Sequence, residues 1–239
     1  MSGPNRKPVE TALFVTCLVD TLAPAVGRAA VSVLERIGLS VVFPREQTCC
    51  GQMHFNAGYV EIAADLARRF VRVFEEYEAV VTPSGSCASH VRTHVPRLVD
   101  ADAGVPSRTW ELSEFLVDRC GVLDLGSDFR GAVTYHPTCH SLRLLRLGER
   151  PLTLLGAVRG IELVALPEAD ECCGFGGTFA VKNADVSTAM LDAKLDCVLA
   201  SGADVVCACD YSCLMHIGGG LRRRGSSVRA VHLAEVLAG

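Results

Sequence analysis

Eight of the twelve cysteines in this 239-residue chain fall into two sets of the same shape. The first is Cys17, Cys49, Cys50 and Cys87, and the second is Cys139, Cys172, Cys173 and Cys213. The lone leading cysteine and the pair are separated by 31 residues in one set and 32 in the other, and each pair is followed by glycine, Gly51 or Gly174. Four thiolates match the ligand count of a centre held by cysteine alone, and soft sulfur selects iron–sulfur, zinc or Cu(I) over hard ions. A glycine beside the pair lets backbone approach an inorganic core and leaves its N–H free for a sulfur. Three other uses of the thiols stand beside this one. They are packed free thiols, a zinc site and structural disulfides, the last of which needs an oxidising compartment.

The remaining cysteines read differently. Cys120 ends a predicted helix and Cys197 lies among Leu195, Val198 and Leu199, so both fit packed thiols. Cys207 and Cys209 stand just past a predicted strand and near Cys213, where either could add to or replace a ligand. His54, His90, His136 and His140 each lie within four residues of a proposed ligand. A histidine there can ligate, relay protons or hydrogen-bond a sulfur, or simply cap a loop. His94, His216 and His232 are given no special role, and Lys182 either offsets cluster charge or opens a helix. The glycine-rich Gly174-Phe175-Gly176-Gly177 is too loose for a dinucleotide fingerprint. No flavin or nicotinamide signature is present, and no residue is assigned a catalytic role.

The elements that would hold these cysteines alternate between strand and helix. In the first half, strands are expected at Ala12–Thr16, Leu39–Phe43 and Ala79–Thr82. The helices between them carry Val26 to Ile37 and Tyr59 to Tyr77 with helical spacing of their apolar residues. The second half replays the order, with strands at Ala132–Tyr135, Ile161–Leu166 and Asp204–Val206, a helical stretch to about Val158 and a helix over Ala184–Ala200. This predicts an α/β protein of two pseudo-symmetric halves, residues 1–128 and 129–239. Each half is a short parallel-sheet βαβαβ unit with its cysteines on loops at the carboxyl ends of the strands, where ligands of doubly wound sheets bind. Val99 to Ser107 reads as a surface loop and Trp110 to Cys120 as a helix closing the first half.

A 49% hydrophobic content is enough for a core that needs no metal or disulfide merely to fold. A net charge of -4 with interspersed signs gives no basic stripe for nucleic acid, and Arg222-Arg223-Arg224 suits a solvated helix end. Arg6-Lys7 followed by apolar residues imitates a signal peptide, but Glu10 and Asp20 interrupt it. No apolar run reaches the ~20 residues of a membrane span, so a protein in solution in the cytoplasm is expected.

The motifs Phe14-Val15-Thr16-Cys17, Cys49-Cys50-Gly51-Gln52, Gly85-Ser86-Cys87, His136-Pro137-Thr138-Cys139, Cys172-Cys173-Gly174-Phe175-Gly176-Gly177 and Ser212-Cys213-Leu214 together resemble the cysteine-rich (CCG) domain family. That family includes the cysteine-rich subunit of heterodisulfide reductase, the iron–sulfur subunits of glycolate oxidase and anaerobic glycerol-3-phosphate dehydrogenase, and a lactate-utilisation branch to which this chain is similar from about residue 11 to 238. The resemblance implies a cytoplasmic electron-transfer subunit of an L-lactate-oxidising complex, with the eight cysteines as iron–sulfur ligands. It also implies a ferredoxin-type iron–sulfur subunit and a further small subunit as partners. Heterodisulfide reductase ends each half in CxxC and binds fused clusters, whereas here Ser84 and Asp210 stand where the first cysteine of that motif would be. One [4Fe-4S]-type cluster per half is therefore the expectation. A thiol–disulfide catalyst or a zinc-held binding module would use the same residues.

Overall fold

The computed structural model describes residues 10–99 and 104–239. Arg6-Lys7 lies outside them. The first half runs β1 (Glu10–Leu13), α1 (Cys17–Leu22), α2 (Pro24–Arg36), β2 (Ser40–Val42), α3 (Gln52–Asn56), α4 (Val60–Phe74), β3 (Ala79–Thr82), α5 (Gly85–Thr93), α6 (Val95–Val99), α7 (Gly104–Ser107), β4 (Thr109–Glu111) and α8 (Leu112–Glu114), which continues into a π-type turn at Phe115–Arg119. The second runs β5 (Asp128–Tyr135), a π-type turn at Ser141–Leu145, α9 (Arg150–Gly156), β6 (Arg159–Leu163), α10 (Phe179–Lys182), α11 (Ala184–Ala200), β7 (Val205–Ala208), α12 (Tyr211–Arg223), β8 (Arg229–His232) and α13 (Leu233–Ala238).

Each half forms a four-stranded, all-parallel sheet, in the orders β2-β1-β3-β4 and β6-β5-β7-β8. The order reverses at β1 and β5. Chain leaves β1 to build β2 on one side and returns to build β3 on the other, so the loops after these strands open a crevice at their carboxyl ends. The βαβαβ reading holds in each half, with one strand more than the sequence predicted. Thr109–Glu111 is that strand in the first half, where a helix was expected from Trp110, and Arg229–His232 is its counterpart in the second. Strands of three and four residues are too short to display a period of two. The expected loop at Val99–Ser107 also differs: residues 104–107 form a helical turn that buries Val105 and Pro106, and residues 100–103 lie outside the described part.

Helix α4 shows why these segments fold as they do. Its Ala63, Ala67, Phe70 and Phe74 recur at helical spacing and bury one stripe on the sheet, where Phe14 meets Phe70 edge-on at 5.0 Å between centroids. Helix α11 does the same in the second half through Leu191, Leu195 and Val198. A third apolar cluster crosses between the halves. It joins Val33 and Leu34 of α2 and Leu13 and Val81 of the first sheet to Val133, Val205, Val236 and Leu237 of the second half. Arg36 locks this contact from the rim, donating to Ser127 Oγ at 2.9 Å and to the carbonyls of Leu237 (3.2 Å) and Ala238. The basic run lies at the end of α12, where Arg224 pairs with Asp192 and Asp196.

The carboxyl ends of β4 and β8 each turn directly into a capped helix, but with different side chains. Glu111 accepts the N–H groups of Ser113 (2.7 Å) and Glu114 (3.2 Å), while His232 Nδ1 accepts that of Ala234 (3.0 Å). Burial raises Glu111 from 4.5 to about 7, against the opposing hydrogen bonds, and the charge of Asp210 adds to the rise. Between those two values the folded chain binds the proton and the unfolded chain does not, so stability falls as pH climbs through that window. The loss amounts to about 3 kcal/mol once pH passes the folded value. Glu111→Gln is expected to remove this contribution. Urea midpoints at pH 5.5 and 7.5 should then differ less for the variant than for the unaltered chain, and an equal difference in both would refute the assignment.

Candidate metal centre

The first cysteine of each set is placed by the turn that leaves the central strand. In the first half, Thr16 Oγ1 caps α1 by accepting Val19 N–H at 3.4 Å, which fixes Cys17 as the first helical residue. Gln47 holds the neighbouring loop against the same strand end, accepting Val15 N–H at 2.8 Å and donating to Leu13 O at 3.1 Å. The third cysteine loop enters α5 through Ser84, whose Oγ accepts Cys87 N–H at 3.2 Å. Cys213 occupies the matching first turn of α12.

The cysteine pairs turn on their glycines. Gly51 and Gly174 adopt φ of 90° and 86°, in the left-handed region that a side chain resists. This geometry returns each glycine N–H onto the first sulfur of its pair, Gly51 to Cys49 Sγ at 3.4 Å and Gly174 to Cys172 Sγ at 3.3 Å. A β-carbon on Gly174 would also meet Ser187 O at 2.5 Å, so α11 packs directly on the loop. Ser187 Oγ and the buried Lys194 tie the same loop down through the carbonyls of Gly174 (2.8 Å) and Glu168 (2.6 Å).

The structure brings each predicted set together. Cys17 Sγ lies 3.7 Å from Cys49 Sγ, and Cys50 Sγ lies 3.3 Å from Cys87 Sγ. In the second half, Cys139 and Cys173 lie beside Cys172, and the sulfurs of Cys173 and Cys213 lie within 4.8 Å of each other. All twelve cysteines are free thiols. The first cysteine of each pair has the same charge preference. Hydrogen bonds from Cys17 and Cys50, followed by that from Gly51, pull Cys49 down to about 2 against the cost of burial. Hydrogen bonds from Cys139, Cys173 and Gly174 pull Cys172 to the same value. The thiols that donate these bonds, Cys17, Cys50, Cys139 and Cys173, are pushed up. Each site thus holds one thiolate readily, and further ionisation in such close quarters calls for positive charge among the sulfurs. Four convergent thiols, each pair carrying a backbone N–H on sulfur, fit a cationic or iron–sulfur centre in each half.

Both sets open into one cavity of about 280 Å³ between the halves, and all eight cysteines line it. Polar residues stitch its walls. Asp210 is 2% exposed, and its carboxylate accepts the Ser84 hydroxyl at 2.6 Å, Ser86 N–H at 3.1 Å, the Ser86 hydroxyl at 2.8 Å and the Thr138 hydroxyl at 2.9 Å. Gln52 spans the halves as well, donating to Ser86 O and to His140 Nε2, both at 3.2 Å. At Gly85 the halves approach so closely that a β-carbon would overlap Ser141 Oγ.

Other sequence candidates fall elsewhere. Cys207 is a strand residue of β7 and Cys209 follows that strand; both are fully buried in the shared core and neither lines the cavity. Burial raises both thiols, so no disulfide substrate reaches a reactive sulfur there. Cys120 and Cys197 pack partly buried against apolar clusters. Lys182 is exposed at the end of α10. His140 lines the cavity, His54 keeps a buried Nδ1 without a partner, and His90 packs on Phe55 at 5.6 Å. His94 stacks on the same ring at 4.3 Å.

Two histidines without a sequence signal have positions in this architecture. His216 follows Cys213 by three residues as His90 follows Cys87, and it meets Phe175 at 5.8 Å; applying the repeat to histidine would have found it. His232 is buried and its Nε2 donates to Pro83 O across the halves at 3.1 Å.

Two parallel α/β halves, each presenting four thiols to a common cavity, define a duplicated cysteine-rich protein with a candidate metal centre in each half. The chain belongs to the CCG cysteine-rich domain family, whose pattern matches residues 11–92 and 133–218. It is 46% identical over 232 residues to "Lactate utilization protein A" of Anoxybacillus flavithermus, covering 94% of this chain and 97% of that one. The proteins of the same name from Macrococcus caseolyticus (46% over 236 residues, 96% of each chain) and Bacillus pumilus (44% over 232 residues, 94% and 97%) are similar throughout as well. Among solved structures, glutamate racemase RacE1 of Bacillus anthracis aligns at a TM-score of 0.29 and 14% identity, over 98% of this chain and 80% of that one, too distant to bear on function.

Proposed function

We propose that this chain is an iron–sulfur electron-transfer subunit of an L-lactate-oxidising complex, with one [4Fe-4S]-type cluster in each of the halves 1–128 and 129–239. The observation that carries this reading is the duplicated set of four thiols facing one cavity. Its substrate comes from the lactate-utilisation name of relatives that match along nearly the whole chain. A cluster bound there supplies one-electron redox chemistry.

The chain's own residues do the rest. Cys17, Cys49, Cys50 and Cys87 ligate in one half, and Cys139, Cys172, Cys173 and Cys213 in the other. Gly51 and Gly174 direct N–H groups at ligand sulfur, and the helix starts place Cys17, Cys87 and Cys213 at the edge of the cavity. With electrons passing through and no substrate transformed on it, the subunit works with a ferredoxin-type iron–sulfur partner and a further small subunit. No helix among the described residues is long and apolar enough to cross a membrane, and unpaired thiols suit the reducing cytoplasm, where we place it.

Anaerobic purification with iron and acid-labile sulfide measured per chain tests this directly. About eight irons with matching sulfide, and a paramagnetic signal on reduction, are the expected result. Zinc without labile sulfide would replace electron transfer by a metal-held binding module.

A further inference from the structure

The repeat that aligns the cysteines also aligns Phe14 with His136. Each stands three residues before the leading cysteine of its half and one residue beyond the last paired residue of the central strand. Phe14 N–H bonds Val81 O at 2.8 Å, and His136 N–H bonds Cys207 O, also at 2.8 Å, so the backbones are equivalent. Both side chains are buried, at 0% and 1% exposure. Their surroundings correspond too. The Phe14 ring packs in the cluster that holds Cys50 and Cys87, and a ring nitrogen of His136 lies within 4.8 Å of the sulfurs of Cys173 and Cys213, the partners of those cysteines in the repeat.

The two rings differ in chemistry. Phenylalanine offers sulfur an apolar face, while both buried ring nitrogens of His136 lack a hydrogen-bond partner and one of them lies within 4.8 Å of these sulfurs. A buried imidazole left without partners is destabilising. His136 does not line the cavity, although Cys173 and Cys213 do. The imidazole therefore stands behind the thiols, on the protein side, and the metal centre would sit in front of them. From there its N–H can reach ligand sulfur without displacing a thiolate from the centre.

We propose that His136 is a positioning residue which donates a ring N–H to the Cys213 thiolate and holds the second half's centre at a higher reduction potential than the first half's. This rests on the iron–sulfur reading above. A hydrogen bond to ligand sulfur withdraws negative charge and favours the reduced state, and Phe14 gives the first half no such donor. Electrons entering the chain then settle in the second half, which makes the duplicated subunit directional.

The test is an anaerobic redox titration of the loaded chain followed by EPR, comparing the unaltered protein with His136→Phe, which copies the first half. The unaltered chain is expected to show two separate midpoints. His136→Phe is expected to keep its full iron and sulfide and to lower the higher midpoint alone, so that the reduced-to-oxidised ratio at the original midpoint falls about tenfold, equivalent to about 59 mV for one electron. His136→Gln, which retains an N–H donor, should fall less. Pulsed EPR of unaltered protein carrying 15N-histidine gives a readout that needs no variant: one weakly coupled nitrogen on the reduced second centre is expected. Unmoved midpoints with full loading, no nitrogen coupling, or the strong coupling and iron loss of a true ligand would each overturn the proposal while leaving the iron–sulfur reading intact. An unaltered chain that loads no iron would overturn both.

Discussion

Replacing Asp210 by alanine is expected to destabilise the chain by about 3 kcal/mol, because four donors from both sides of the cavity lose a common acceptor at once. Ser84 and Ser86 can still share one bond with each other at 3.2 Å and Thr138 can keep Ser141 Oγ at 2.9 Å, but the Ser86 N–H and the link between the halves lose their acceptor. In a chain of this length that loss lowers the melting temperature by roughly 6–12 °C. Asp210→Asn keeps one acceptor oxygen and should fall between. The comparison belongs on the metal-free chain under anaerobic, reducing conditions, where iron loading does not enter. A melting temperature for the alanine variant within a degree of the unaltered chain would show that the network does not hold the halves.

Iron content carries the other large effect. Cys49→Ser and Cys172→Ser should each cost about half of the iron per chain, and both together nearly all of it, because each removes the sulfur on which its set converges. A serine hydroxyl does not ionise in the range where a thiol does, so the ligand is lost although the volume is nearly kept. Cys197→Ser should leave iron unchanged, since Cys197 packs on α11 away from the cavity. Metal assays on anaerobically prepared variants decide the matter. Equal losses from all three substitutions would refute the ligand assignment.

Much of this architecture was legible in the residues, and the reasons are specific. Strand β3 and helix α11 have the bounds expected of them, because Ala79–Thr82 is a short buried apolar run and Ala184–Ala200 is a stretch rich in Ala and Leu, free of Gly and Pro, that stops just short of Gly202. The two cysteine sets were visible because the duplication repeats their spacing almost unchanged. What escaped has physical causes too. Strands β4 and β8 are three and four residues long, and their identity comes from pairing with β3 and β7, a long-range property that no local pattern carries. Ser84 and Asp210 stood out only as departures from CxxC; that they bond each other depends on how the halves face. His232 and Pro83 are 149 residues apart, and nothing in either stretch announces the contact. Cys207 and Cys209 lie close in sequence to a ligand yet face the shared core, because β7 continues farther than its predicted end at Val206.

The pairing of Ser84 with Asp210 has a consequence for how such a molecule can be assembled. The two residues occupy the N-cap positions of equivalent helices, each three positions ahead of its cysteine, and they meet across the approximate two-fold relation between the halves. Two identical chains related by a true two-fold axis would have to set like against like at that spot. Two serines could share a weak bond there, but two buried aspartates would repel unless one took up a proton. A donor on one side and an acceptor on the other requires that the positions mutate independently, which a single covalent chain permits and a symmetric dimer of one gene product forbids. Fusion thereby frees the axis itself to become polar, and the contact that closes the two halves is one that neither half could make with its own copy.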